Sequence, residues 1–147
     1  MNKSSRTTKW LFIVFSLIGM IDSLYLIWIK ISNDKAYCLP GVGDCWTVNT
    51  SRYSQVFGIP ISVFGALGYL LILALFLLEI RSVISAANSV VILFGLTFAG
   101  FLFSLYLTYL ELFVIFAICP FCVLSAISMT ILFVISVYRL VKSQAES

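Results

Sequence analysis

Two cysteines three residues apart, Cys119 and Cys122, have the clearest chemical potential in this sequence. Pro120 lies between them and is favoured at the first position of a helix, where its missing N–H would have no partner. A cysteine at a helix start lies at the positive end of the backbone dipole, which favours the reactive thiolate. Residues i and i+3 of a helix are neighbours, so a reducible disulfide between the two sulfurs is geometrically feasible. The alternative is two buried cysteines that behave as small apolar side chains.

A second pair, Cys38 and Cys45, lies in a polar stretch that extends from Ile31 to Gly58. Gly41 and Gly43 lie between these cysteines and give the chain conformational freedom, so the pair can present itself to a soluble protein. Thiol–disulfide exchange proceeds through mixed disulfides. A loop pair and a helix pair therefore suggest a thiol relay, provided that the loop brings one of its sulfurs onto a helix sulfur.

Three other interpretations of the four cysteines are open. A zinc site usually has two to four residues within each ligand pair, and the six residues between Cys38 and Cys45 fit this poorly. Structural disulfides could staple an outer loop, although a bridge from Cys119 to Cys122 closes too small a loop to constrain much chain. Free buried thiols would not explain why all four cysteines fall on one side of the predicted bundle.

The composition indicates an integral membrane protein. Of 147 residues, 62% are hydrophobic and 10% are charged, and the mean hydropathy is +1.12, which excludes an ordinary soluble domain. One helix needs about 20 apolar residues to cross a bilayer, so the chain accommodates about four spans in a single domain, residues 1–147. The absence of histidine excludes imidazole acid–base chemistry. The net charge of +3 carries no indication of nucleic-acid binding, because the basic residues lie at helix ends.

The apolar runs predict four membrane spans, at about 10–31, 60–78, 84–110 and 120–140. Basic residues concentrate on the side of the membrane that faces the cytoplasm. Six of them lie on the side that holds both termini, namely Lys3, Arg6, Lys9, Arg81, Arg139 and Lys142. Three lie on the opposite side, namely Lys30, Lys35 and Arg52. We therefore expect a plasma-membrane protein with cytoplasmic termini and all four cysteines on the outer face, where disulfides persist.

Small residues recur in the first and third predicted spans. Gly19 and Ser23 stand in a local pattern similar to that of Gly100 and Ser104, either by chance or by an internal duplication. Small residues let membrane helices approach closely, so these positions predict helix contact faces.

Two acidic residues are candidates for a proton relay. Asp22 lies in mid-span, where a carboxylate costs about 2.5–3.5 kcal/mol, and it is alternatively a neutral or paired group that faces the bundle interior. Glu111 lies nearer the outer surface, where it could supply protons or simply mark a turn.

The combined pattern resembles the vitamin K epoxide reductase family, including its bacterial members that oxidise cell-envelope thiols. An unrelated family of quinone-coupled oxidases places its Cys-x-x-Cys pair in the first outer loop, the opposite order. The resemblance covers nearly the whole chain, and it is carried by Ser23-Leu24-Tyr25, Cys38 with Cys45, Ser51-Arg52-Tyr53, Phe57-Gly58, Phe64-Gly65 and Cys119-x-x-Cys122.

The resemblance implies an all-α integral membrane fold, a bundle of four transmembrane helices with an extracytoplasmic loop between the first two that caps a quinone pocket. Cys38 would meet the thiols of a partner protein, and Cys45 would pass electrons to Cys119. Cys122 would then reduce the quinone. The quinone-binding or lid residues would be Ser51, Tyr53, Phe57, Phe64 and Tyr69, although aromatic residues are also common at the ends of membrane spans.

The implied activity is that of a quinone-dependent thiol oxidoreductase without a metal. Its acceptor would be a menaquinone, ubiquinone or phylloquinone-type molecule in the membrane lipid. Its partner would be a separate extracytoplasmic thioredoxin-fold thiol oxidase, since no thioredoxin domain follows before Ser147. Ile61 and Ala126 replace an Asn and a Tyr of the animal enzymes that donate hydrogen bonds to the quinone, which puts epoxide reduction in doubt. The alternative function is a small membrane scaffold or transporter subunit with structural disulfides.

Overall fold

A computed structural model describes residues 3–34, 41 and 43–147. Its α-helices are α1 (Lys3–Ser32), α2 (Cys45–Thr50), α3 (Ile61–Ile80), α4 (Ala86–Leu110) and α5 (Pro120–Glu146). Four of these, all but the short α2, are long and apolar enough to cross a membrane. The prediction of a helical protein with four such helices is therefore confirmed.

The helices extend beyond two of the predicted spans. α1 begins at residue 3 rather than 10, and α5 ends at residue 146 rather than about 140. Neither polar extension contains proline or glycine, so nothing in its sequence interrupts the helix. α4 ends at residue 110 and continues into a π-helical turn, Glu111–Ile115.

The four long helices form a bundle in which α1 and α4 each pack against both α3 and α5. The chain passes from α3 to α4 and from α4 to α5 through short connections, which make consecutive helices antiparallel neighbours. A side chain at Gly19 would overlap the ring of Tyr69, and one at Gly100 would overlap Met129. The predicted close approach at these small residues is confirmed.

The hydrophobic core fills the end of the bundle that holds both termini. The rings of Phe12 and Phe76 lie 4.5 Å apart at its centre. The other buried members come from α3, α4 and α5 and are Tyr69, Ile72, Leu93, Met129 and Leu132. The opposite end of the bundle is less completely filled, and it carries the candidate site.

Residues 43–60, here called the lid segment, precede α3 and contain regular structure within the stretch that the sequence predicted as a polar loop. They contain α2, a 3-10 turn (Arg52–Ser54) and an antiparallel pair of short strands, β1 (Gln55–Val56) and β2 (Ile59–Pro60). Phe57 and Gly58 join the strands with φ angles of 53° and 79°, as in the two-residue turns that favour hairpins. The short α2 lacks the long apolar periodicity that identifies a helix from sequence.

A largely buried ion pair, with both residues partly accessible, joins three helices at the end of the bundle away from the lid segment. Arg139 of α5 contacts the carboxylate of Glu79 on α3, which also accepts a hydrogen bond from Ser89 of α4 at 2.7 Å. The exposed fractions of the Arg139 and Glu79 side chains are only 15% and 10%. We expect Arg139→Ala to lower the free energy of unfolding by about 3–5 kcal/mol, because Glu79 would remain buried without its counter-charge. Denaturant unfolding of the purified protein in detergent measures this loss.

The chain offers a matched control for this substitution on the same helix. Lys142 and Glu146 form an exposed pair with a nitrogen–oxygen distance of 3.9 Å, and such pairs contribute about 0–1 kcal/mol. Lys142→Ala should therefore change the free energy of unfolding very little. Equal losses in the two variants would contradict a stabilising role for the buried pair.

Candidate active site

Cys119 and Cys122 lie at the start of α5, as the sequence predicts. Cys119 is the N-cap residue, Pro120 is the first helical residue, and the Cys119 sulfur accepts a hydrogen bond from the backbone N–H of Cys122 at 3.4 Å. Both are free cysteines. Hydrogen bonding from Cys122 lowers the pKa of the Cys119 thiol, and the helix start also favours a negative charge there. Cys119 is thus the sulfur of the pair that is better suited to carry the negative charge.

The turn before Cys119 is held by Glu111. The Glu111 backbone carbonyl accepts a hydrogen bond from the Ala117 N–H at 3.2 Å, and its side-chain carboxylate accepts one from the Cys119 N–H at 3.3 Å. Between them, Phe116 adopts a left-handed conformation with φ of 56°. The carboxylate also interacts with the side chain of Cys122, which lines the same cavity. Glu111 therefore marks the turn, one of its two predicted roles, and also touches the helix cysteines.

Cys45 is the first residue of α2. Asp44 caps this helix by accepting hydrogen bonds from the Thr47 backbone N–H at 3.0 Å and from its hydroxyl at 2.6 Å. Cys45 is disulfide-bonded and only 2% exposed. Cys38 lies outside the residues that the structure describes.

The lid segment brings Cys45 and Cys119 into one buried cluster, which also contains Leu26, Ile29 and Val48. Cys119 is fully buried there. Two sulfurs that the sequence places 74 residues apart thus share one apolar environment.

A backbone contact holds this arrangement in place. The Asp44 N–H donates to the Ile118 carbonyl at 2.9 Å. A Cβ atom at Gly43 would lie 2.5 Å from that carbonyl oxygen and 3.0 Å from Pro120, and Gly43 has a φ of 100°. Glycine is therefore required at residue 43 by close approach and backbone conformation, a role that the sequence interpretation, which gave it chain freedom, did not include.

A cavity of about 320 Å³ lies between the lid segment and the long helices. This volume falls within the range of small-molecule sites. Cys122 and Glu111 line it, whereas Cys119 and Cys45 do not. Four of the five residues predicted for a quinone pocket or lid also line it, namely Ser51, Tyr53, Phe64 and Tyr69.

The structure places the other two candidates outside the cavity. Phe57 is 100% exposed at the hairpin turn, so it belongs to the lid segment and does not contribute to the cavity wall. Asp22 is buried in the bundle, does not line the cavity, and has no hydrogen-bond partner for either carboxylate oxygen among the described residues.

Sequence reasoning missed Asn49 and Ser125, two polar residues that line the cavity. The Tyr69 hydroxyl donates to the Ser125 carbonyl at 2.7 Å, which joins α3 to α5 across the cavity wall. The Asn49 amide of the lid segment donates to the Leu26 carbonyl of α1 at 3.2 Å. The Lys30 amino group donates to the Asn49 carbonyl at 3.0 Å. Asp44 followed by Thr47 is a helix-capping pattern, and it is the sequence signal that could have located α2 and hence Asn49.

The described residues contain no group of three or more His, Cys, Asp or Glu side chains arranged to hold a metal ion.

Comparison with known proteins agrees with this sulfur chemistry. A 56-residue segment is 39% identical to a segment of the thiol-disulfide oxidoreductase LTO1 of Arabidopsis thaliana. The match covers 38% of this chain and only 15% of the length of that protein. A model of the vitamin K epoxide reductase family matches residues 10–137. The match includes all four cysteines and most of the four long helices, so the chain belongs to the vitamin K epoxide reductase family.

Proposed function

We propose that this protein is a membrane thiol oxidoreductase that takes electrons from an extracytoplasmic thioredoxin-fold protein and passes them to a membrane quinone. The observation that carries the proposal is the placement of Cys119 and Cys122, the two cysteines at the start of α5. Cys122 faces an apolar cavity, while Cys119 is buried in the cluster that holds Cys45. The family match and the thiol-disulfide oxidoreductase relative support the same class of chemistry.

The proposed relay has two exchanges between sulfurs. Cys38 and Cys45 form the loop disulfide, and the partner's two thiols reduce it while they become a disulfide themselves. The Cys45 thiolate then attacks Cys119 of the Cys119–Cys122 disulfide and releases Cys122 as a thiolate. Cys38 attacks Cys45 in the resulting mixed disulfide, which restores the loop disulfide and leaves Cys119 and Cys122 reduced.

The cavity suits a quinone as the electron acceptor. A menaquinone, ubiquinone or phylloquinone-type ring accepts two electrons and two protons, and Cys122 lies in the cavity wall to supply the electrons. Ile61 and Ala126 both line the cavity, so the positions at which animal relatives have polar side chains are apolar here. This supports a quinone as the substrate and argues against an epoxide.

Four helices that are long and apolar enough to cross a membrane support a reaction at the membrane. The basic residues favour cytoplasmic termini, which would put the lid segment and the helix cysteines on the outer face. A thioredoxin-fold partner outside the cytoplasm then has access to the lid segment, and the quinone reaches the cavity from the lipid.

Filling the cavity should inhibit quinone reduction without loss of the fold. Gly68 of α3 lines the cavity, and a Cβ atom added there meets no described atom within 4 Å. We expect Gly68→Phe to decrease the rate of quinone reduction at least about tenfold, equivalent to ~1.4 kcal/mol, because the new ring occupies the space for the quinone. The measurement is the quinone absorbance change with purified protein, a dithiol donor and several quinones.

Gly95 of α4 provides the matched control. It also lies within a helix with no described atom within 4 Å of an added Cβ, but it is exposed and does not line the cavity. Gly95→Phe has the same effect on helix propensity and should leave quinone reduction unchanged. If the Gly68 variant matched the Gly95 variant at every quinone concentration, the cavity would not be the quinone site.

A further inference from the structure

Glu111 has a carboxylate, which can accept and donate a proton, and it lies beside Cys122, the sulfur proposed to react with the quinone. It is 5% exposed, and among the described residues that line the cavity it is the only carboxylate. Its carboxylate bonds to the Cys119 N–H and interacts with the Cys122 side chain. The hydrogen bond from Cys119 offsets part of the cost of burying this carboxylate, and it holds the carboxylate beside the helix cysteines.

In the reduced helix pair, the sulfur that faces the quinone cavity is the one that holds a proton, and this proton hinders electron transfer. The Cys119 sulfur accepts the Cys122 N–H and is the sulfur that favours the thiolate form. The remaining proton therefore stays on Cys122, the sulfur that faces the cavity. A thiolate is the reactive form of cysteine, so Cys122 must lose this proton before it can reduce a quinone.

We propose that Glu111 is the general base that removes the proton from the Cys122 thiol and then delivers it to the reduced quinone. The inference rests on the proposed function and adds the route of one proton to it. The Glu111 carboxylate lies against both members of the helix pair, so it can act at Cys122 without displacing the start of α5.

The step balances in atoms and electrons. Glu111 takes the proton from Cys122, and the two sulfurs, now both thiolates, form one S–S bond and release two electrons to the quinone. The quinone receives one proton from Glu111 and one from water. Glu111 ends as a carboxylate, ready for the next turnover, and the Cys119–Cys122 disulfide is ready for Cys45.

Other titratable groups are less well placed for this task. Tyr53 and Tyr69 line the same cavity, but neither has a carboxylate, and the Tyr69 hydroxyl donates to the Ser125 carbonyl. The Lys30 amino group donates to Asn49 and Ser54 within the lid segment. Asp22 is separated from the cavity.

Substitution of Glu111 by glutamine tests the inference. Glutamine keeps an oxygen that can accept the Cys119 N–H, so the turn is retained, but it cannot accept a proton. We expect Glu111→Gln to slow single-turnover quinone reduction by the pre-reduced protein about 10²–10⁴-fold at neutral pH, the usual contribution of a general base. The rate of the variant should rise about tenfold per pH unit above neutrality, as Cys122 ionises without help, whereas the wild-type rate should rise less steeply.

Two further variants separate proton transfer from positioning. Glu111→Asp keeps a carboxylate on a shorter side chain, and we expect partial activity with the wild-type pH profile. Glu111→Leu removes both functions and should be at least as slow as the Gln variant. A Gln variant with wild-type rate and pH profile beside an inactive Leu variant would overturn the inference and leave Glu111 as a positioning residue.

The outcome is distinguishable from failure of the proposed function. If Cys122→Ser abolishes quinone reduction but Glu111→Gln does not impair it, the relay stands and the inference fails. If Cys122→Ser has no effect, the relay itself fails. Thermal unfolding of each variant shows whether the bundle is intact.

Discussion

Cys122→Ser is expected to abolish quinone reduction, with a loss on the order of 10³-fold or more, as for other catalytic nucleophiles. Serine has nearly the same size and retains the backbone N–H that binds the Cys119 sulfur. Its hydroxyl cannot form a disulfide, so the electron pair has no route from Cys119 to the cavity. The measurement is the absorbance of the quinone under excess dithiol donor.

The fold of this variant should not change, because Cys122 is only partly buried and free of a disulfide. An unaltered thermal unfolding curve beside absent turnover separates catalysis from stability. Turnover at the wild-type rate in the folded Cys122→Ser variant would contradict the proposed mechanism. It would favour a scaffold or transporter subunit whose cysteines are structural.

Cys38→Ala is expected to lower the rate of oxidation of the protein partner at least about tenfold. The same variant should still reduce the quinone when a small dithiol is the electron donor. Cys45 and Cys119 are 2% and 0% exposed, so neither can meet the thiols of another protein in this conformation. The proposed relay gives that contact to Cys38, which lies outside the described residues. A small dithiol can instead enter the cavity and reduce the helix pair at Cys122.

The experiment compares two electron donors with the same variant, a reduced thioredoxin-fold protein and dithiothreitol. The expected result is selective loss with the protein donor, at a protein concentration that saturates the wild type. Cys122→Ser serves as the control that should lose both activities. Equal loss with both donors in the Cys38 variant would argue against a relay and for a single reactive pair.

The long helices could be predicted from the sequence because their signal is local and strong. Apolar runs of about 20 residues have few alternatives in a membrane, and Pro120 locates the start of α5. The helix ends were predicted less well. Lys3 and Glu146 lie in polar extensions of α1 and α5, which carry no signal in hydropathy.

The lid segment could not be predicted in the same way, because its structure depends on contacts with distant residues. α2 has six residues and is held by the Asp44 cap and by contacts with α1 and α5. The exposure of Phe57 follows from a two-residue turn, which a motif match does not reveal. The role of Glu111 likewise requires knowledge that the π-helical turn aims its side chain back at Cys119.

The contact of Gly43 with the start of α5 has a consequence for the kinetics of the proposed relay. The Asp44 N–H is bonded to the carbonyl just before Cys119, and this contact holds Cys45 and Cys119 in the same buried cluster. Electron transfer from Cys45 to Cys119 then requires little movement of the backbone. Binding of the soluble donor would then be the rate-limiting step of each cycle, and its rate would depend on the donor concentration. The internal thiol–disulfide exchange would be faster than this step.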